Sequence, residues 1–93
     1  MRLSLDERSV IKKALFDVDN TASVYLFGSR VYDAKKGGDI DLLVFSNQMD
    51  LRKKIKFEAS LWKMLGEQKI DVVVAGPNNQ AFVNLISEEA ILL

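Results

Sequence analysis

The sequence predicts a small α/β (α+β) domain, a mixed β-sheet packed with helices in the order α-β-β-α-β-α. Three observations predict it. Segments with helical spacing of apolar residues alternate with short β-branched and aliphatic runs along the 93 residues. The run Leu42-Leu43-Val44-Phe45 is apolar without interruption, as expected of a central strand covered on both faces. The 23 residues from Ser46 to Gln68 suffice for a helical crossover, so the strands on either side of them can lie parallel and adjacent.

Each element has its own signal. Ser4 followed by Glu7 is a capping-box pattern, and Val10, Ile11, Ala14, Leu15 and Val18 recur at helical spacing, which predicts a helix over 5–18 ended by Asp19-Asn20. Ser23–Phe27 reads as a buried strand that stops at the tight turn Gly28-Ser29. A second strand, Asp39–Phe45, begins just after Gly37-Gly38. Asp50 caps a helix over 51–65 that Gly66 closes. Its stripe Leu51, Ile55, Ala59, Trp62 and Leu65 is expected in the core, with Arg52, Lys53, Lys54 and Lys56 on a solvated face. Ile70–Val74 is the third strand, Gly76-Pro77 a turn, and Phe82, Val83, Leu85 and Ile86 mark a last helix over about 79–88, with Glu88 and Glu89 facing solvent. The apolar tail Ala90-Ile91-Leu92-Leu93 has two readings: it completes the core, or an interface covers it.

Composition narrows the chemistry. Thirteen Lys and Arg balance thirteen Asp and Glu, so no basic field exists to hold long DNA or RNA by counterion release. With no Cys and no His, disulfides, thiolate zinc sites, a Cys nucleophile and the usual general base are absent together. No apolar run approaches the ~18 residues of a membrane span, and the start Met1–Arg8 carries acids where a signal peptide is apolar. The expectation is one folding unit over 1–93, soluble and cytoplasmic, whose chemistry runs on carboxylates, hydroxyls, Lys, Arg and bound ions.

Asp39 and Asp41 open the second strand two residues apart, so both project from one face, with backbones about 7 Å apart. Carboxylate oxygens about 4 Å apart repel by about 4 kcal/mol at an effective dielectric near 20, so the pair asks for a cation. Magnesium suits an all-oxygen donor set. Asp71 interrupts the third strand, and parallel pairing would set it beside Asp41. Three carboxylates at one sheet edge can hold two divalent ions about 3.5–4 Å apart, as in phosphoryl displacement. The Gly28-Ser29 turn adds what the acids lack: exposed backbone N–H groups, a hydroxyl and the neighbouring Arg30 guanidinium, with Lys35 and Lys36 to offset phosphate charge. Singly, each piece has a structural reading: a common turn, a surface ion pair, a paired strand acid. The combination and its order point to a site.

These residues resemble the minimal nucleotidyltransferases of the DNA polymerase β superfamily, in particular the small antitoxin-type members paired with HEPN-domain proteins. Leu26-Phe27-Gly28-Ser29-Arg30, then Gly37-Gly38-Asp39-Ile40-Asp41-Leu42-Leu43-Val44, then Ile70-Asp71-Val72-Val73 follow that family's motif in order and approximate spacing. One departure is loop length, nine residues between Ser29 and Asp39 where related sequences often have ten or more. The resemblance implies Mg2+-dependent transfer of AMP from ATP to an acceptor hydroxyl with release of pyrophosphate. Gly28 and Ser29 would hold the triphosphate, Asp39 and Asp41 would ligate two magnesium ions, and Asp71 would complete the acceptor-side site and favour deprotonation of the hydroxyl. It implies a tyrosine of a partner HEPN toxin as acceptor, with the chain as antitoxin. The length adds the expectation of an acceptor supplied in trans by a partner protein, and leaves open whether the chain forms a homodimer or a hetero-oligomer. Two other readings stay open: a non-catalytic subunit that neutralises a partner by occlusion, and a self-sufficient small-molecule nucleotidyltransferase.

Overall fold

A computed structural model describes residues 1–34, 38–66 and 68–93. The elements run α1 (Leu5–Val18), β1 (Ser23–Phe27), a 3-10 turn (Gly28–Val31), β2 (Ile40–Phe45), α2 (Leu51–Leu65), β3 (Ile70–Val74), α3 (Gln80–Ser87) and β4 (Ile91–Leu92). The capping box forms as the sequence predicts: Ser4 Oγ accepts from Glu7 N and Glu7 Oε1 from Ser4 N, both at 3.0 Å. Asp50 Oδ1 caps α2 by accepting from Lys53 N at 2.8 Å, and Gly66 at φ 78° ends it.

The four strands form one mixed sheet in the order β3-β2-β1-β4. β2 is central, antiparallel to β1 and, through the α2 crossover, parallel to β3. Leu42, Leu43 and Val44 are fully buried, as a strand covered on both faces requires. The tail completes the fold. β4 pairs antiparallel with β1, Leu93 N donates to Val24 O at 2.9 Å, Arg8 Nη2 donates to Leu93 O at 2.9 Å, and the Leu93 side chain is buried in the core.

Strand alternation gives the sheet two unlike faces. Val24, Leu26, Ile40, Leu42, Val44 and Val72 join Ile11, Ala14 and Leu15 of α1 and Phe57 and Leu61 of α2 in one core. The opposite face carries Tyr25, Phe27, Asp41, Leu43, Asp71 and Val73, and α3 lies on it, with Phe82 edge-to-face on Phe27 at 6.4 Å and Val83 buried.

The rotation of α2 differs from the expectation. Leu51, Ile55, Ala59 and Trp62 are exposed, and of the predicted stripe only Leu65 packs against the core. The helix carries two apolar stripes about 120° apart at 3.6 residues per turn, and both cannot face one sheet. Phe57 and Leu61, adjacent at i and i+4, fill the space between α1 and the strands to full burial. Apolar counting favours the longer stripe, whereas packing selects the bulkier pair.

Asp19, expected only to end α1, is the one buried acid among the described residues. It accepts from Thr21 N at 2.9 Å, Thr21 Oγ1 at 2.7 Å and the Ser46 hydroxyl, while Ser46 Oγ accepts from Gln48 N and Met49 N. This knot ties the α1–β1 turn to the β2–α2 turn at the end of β1 and β2 remote from Asp41 and Asp71. The Ser46 bond first, then those from Thr21, hold the Asp19 carboxyl below the usual carboxylate range.

Candidate active site

The parallel register sets Asp41 directly across from Asp71, between the rungs Ile40–Ile70 and Leu42–Val72. Ile40 N donates to Lys69 O at 3.0 Å, so the pairing extends one residue before the strands and sets Asp39 beside Lys69. The Asp39 carboxylate meets Lys69 Nζ at 3.4 Å. Asp71 is exposed, and Asp39 and Asp41 are half-buried.

The turn joins the acids through the antiparallel β1–β2 register, in which Phe27 pairs with Asp41. Gly28, next along, has φ 77°, and a Cβ there would overlap Asp41 Oδ2 and stand 3.1 Å from its Cγ. Only glycine permits both that backbone conformation and that approach. Gly38, at φ 92°, takes the same part opposite Ser29, whose Oγ a Cβ would overlap. Gly28, Ser29, Asp39, Asp41 and Asp71 therefore come together at one end of the sheet.

Arg30 points elsewhere. Its guanidinium donates to Arg2 O at 3.0 Å, Gln68 Oε1 at 3.3 Å and Gly38 O at 3.4 Å, and lies 4.0 Å from Glu7 Oε2. Arg2 answers from the other side, its N donating to Arg30 O at 2.7 Å and its Nη2 to Ser29 O at 3.1 Å. Arg30 thus braces the turn against α1 and the loop before β3 instead of turning its fork toward a phosphate beside Ser29. Lys35, Lys36 and Gly37 lie outside the described residues.

Burial, followed by the negative charges of Asp71 and Asp39 and a hydrogen bond with Asp71, pushes the Asp41 carboxyl up to about 6; Lys69 opposes the shift. Such a carboxylate lacks positive charge. Among the described residues no group of three or more acids is already gathered as a metal cage. The donor set nevertheless fits a hard divalent cation: it is all carboxylate oxygen, and its most buried member is destabilised by its like-charged neighbours. Lys69, beside the acids, and Gln68, in the Arg30 brace, are the residues that sequence reasoning missed. The signal was Lys69 standing two residues before Asp71, as Asp39 stands two before Asp41.

A four-stranded mixed sheet with three helices, built around these strand ends, defines the class as a nucleotidyltransferase fold. The family model described as polymerase beta, nucleotidyltransferase, matches residues 9–93, and the chain belongs to that family. Nucleotide transfer is the general activity that membership supports. No curated protein matches the chain. Among the described residues no helix is long and apolar enough to cross a membrane.

Proposed function

We propose that the chain transfers AMP from ATP to a hydroxyl of a partner protein, a tyrosine of an HEPN-domain toxin, and thereby acts as its antitoxin. The observation that carries the chemical part is the Asp41–Asp71 rung with the Gly28-Ser29 turn against it. Asp39, Asp41 and Asp71 would hold two magnesium ions, which supply Lewis-acid stabilisation of charge on the transferring phosphoryl group. Backbone N–H groups of the Gly28-Ser29 turn and the Ser29 hydroxyl bind the triphosphate, and Gly28 lets it approach closely. Asp71, exposed at the open edge, faces the incoming hydroxyl and favours loss of its proton. The acceptor oxygen forms a bond to the α-phosphorus, the bond from that phosphorus to the bridging oxygen breaks, and pyrophosphate leaves.

Partner binding is supported by the face that α2 leaves uncovered. Leu51, Ile55 and Trp62 stand exposed in one line, and Trp62 keeps 67% of its surface accessible. Apolar stripes of this kind on a small chain mark contact surfaces. The same stripe favours the second reading, a subunit that neutralises its partner by occlusion alone.

Intact-mass spectrometry separates the two. The partner, incubated with the chain, ATP and magnesium, is expected to gain one or more AMP units, and Asp39→Asn/Asp41→Asn is expected to abolish the gain. A stable complex with no mass change would leave occlusion.

A further inference from the structure

The parallel register places four charges at the corners of one small rectangle: Asp39 and Asp41 on the β2 side, Lys69 and Asp71 on the β3 side. Residues two apart on an extended chain share a face, so Lys69 stands on the side of Asp71, as Asp39 stands on that of Asp41. The ammonium is the one positive corner. It lies 3.4 Å from Asp39 Oδ2, and the Ile40 N to Lys69 O bond fixes its backbone there. Asp39 is thereby paired with Lys69, and no three-acid cage is already gathered among the described residues.

We propose that Lys69 is a built-in counter-ion of the acidic edge: its ammonium holds Asp39 in the metal-free protein, and Asp39 exchanges it for a divalent cation when one binds. The inference rests on the reading of Asp39, Asp41 and Asp71 as metal ligands. Lys69 is then a positioning residue with two opposed effects. It relieves repulsion among three carboxylates before metal arrives, and it lowers affinity for the metal, because a fixed positive charge beside the ligands repels the ion and competes for one of them. The site therefore stays weak for free cation and fills best when a nucleotide brings further negative oxygens.

The test is manganese binding to the metal-free chain without nucleotide, followed by electron paramagnetic resonance, for the wild type, Lys69→Met, Asp39→Asn and Asp41→Asn. Removing one positive charge from an exposed ammonium should tighten manganese binding about two- to fivefold, and the gain should shrink with added salt. In chelator, Lys69→Met should melt below the wild type, and the same change on the Asp39→Asn background should cost less. Unchanged or weaker manganese binding by Lys69→Met overturns the inference while leaving the metal ligands standing. Weaker binding of ATP with unaltered manganese affinity overturns it in favour of a phosphate contact. If Asp41→Asn binds manganese as the wild type does, the metal-site reading itself falls, and the inference with it.

Discussion

The carboxylate of Asp41 lies against the α-carbon of Gly28, on the neighbouring antiparallel strand end, with no room for a side chain between them. Gly28→Ala places a Cβ on Asp41 Oδ2 and forces an L-residue to φ 77°. The backbone conformation alone costs about 1–2 kcal/mol. The variant is expected to unfold at lower urea concentration than the wild type and to lose nucleotide transfer, because the carboxylate must move. Gly76→Ala is the control: nothing lies within 4 Å of a Cβ there, and its stability should change by less than about 0.5 kcal/mol.

Asp41 also sets a stability slope with pH. Its carboxyl titrates near 6 in the folded chain against 3.8 ordinarily, so the folded state binds the extra proton between those values. Its contribution to stability therefore falls as pH rises through that window and stays at its lowest above it. Asp41→Asn removes the repulsion from Asp71 and Asp39. It is expected to melt a few degrees above the wild type at pH 7.5 and level with it near pH 3.5, while transfer falls by more than about a hundredfold. Thermal melts at the two pH values check the sign.

Arg30 separates a brace from a ligand. As a brace with a part-buried fork, it is expected to fail on Arg30→Lys much as on Arg30→Ala, because an ammonium cannot span Arg2 O, Gln68 Oε1 and Gly38 O together. The expected loss is about 1–3 kcal/mol of stability without any nucleotide present. A phosphate ligand would instead leave the nucleotide-free stability intact and raise KM for ATP alone. Urea denaturation and steady-state kinetics on the two variants decide between them.

Much of this was legible in the residues, and the exceptions have physical causes. Elements with sharp boundary chemistry were placed to the residue: α1 by its Ser4–Glu7 box, α2 by Asp50 and Gly66, β3 by its bracketed apolar run. The Asp41–Asp71 rung followed from crossover length and from the place of Asp71 in the third strand. Side-chain direction was the harder matter. Arg30 belongs to a turn whose neighbours come from residues 2, 7, 38 and 68, contacts that local sequence does not encode. Asp19 finds Thr21 locally but gains its Ser46 partner only when the two turns meet. The tail could not be assigned because two residues carry no period, and only the open edge of β1 makes a strand of them.

The rotation of α2 makes the sharpest contrast, because periodicity and packing choose different faces. Phe57 and Leu61 are fully buried, so Phe57→Ala should cost about 3–5 kcal/mol and Leu61→Ala about 2–5 kcal/mol. Against a total stability of about 5–15 kcal/mol, the first variant stands near the limit of folding. Ile55→Ala and Trp62→Ala, on the exposed stripe, should each change stability by less than about 0.5 kcal/mol. Urea denaturation followed by far-ultraviolet circular dichroism reads all four, since Trp62 is the only tryptophan and fluorescence would be lost with it. A large loss at Trp62 with little at Phe57 would turn the helix by a third of a revolution and cover the stripe. The expected pattern instead leaves Trp62 and Ile55 free of folding duty, so that the same two substitutions can be used to weaken a partner complex without weakening the chain.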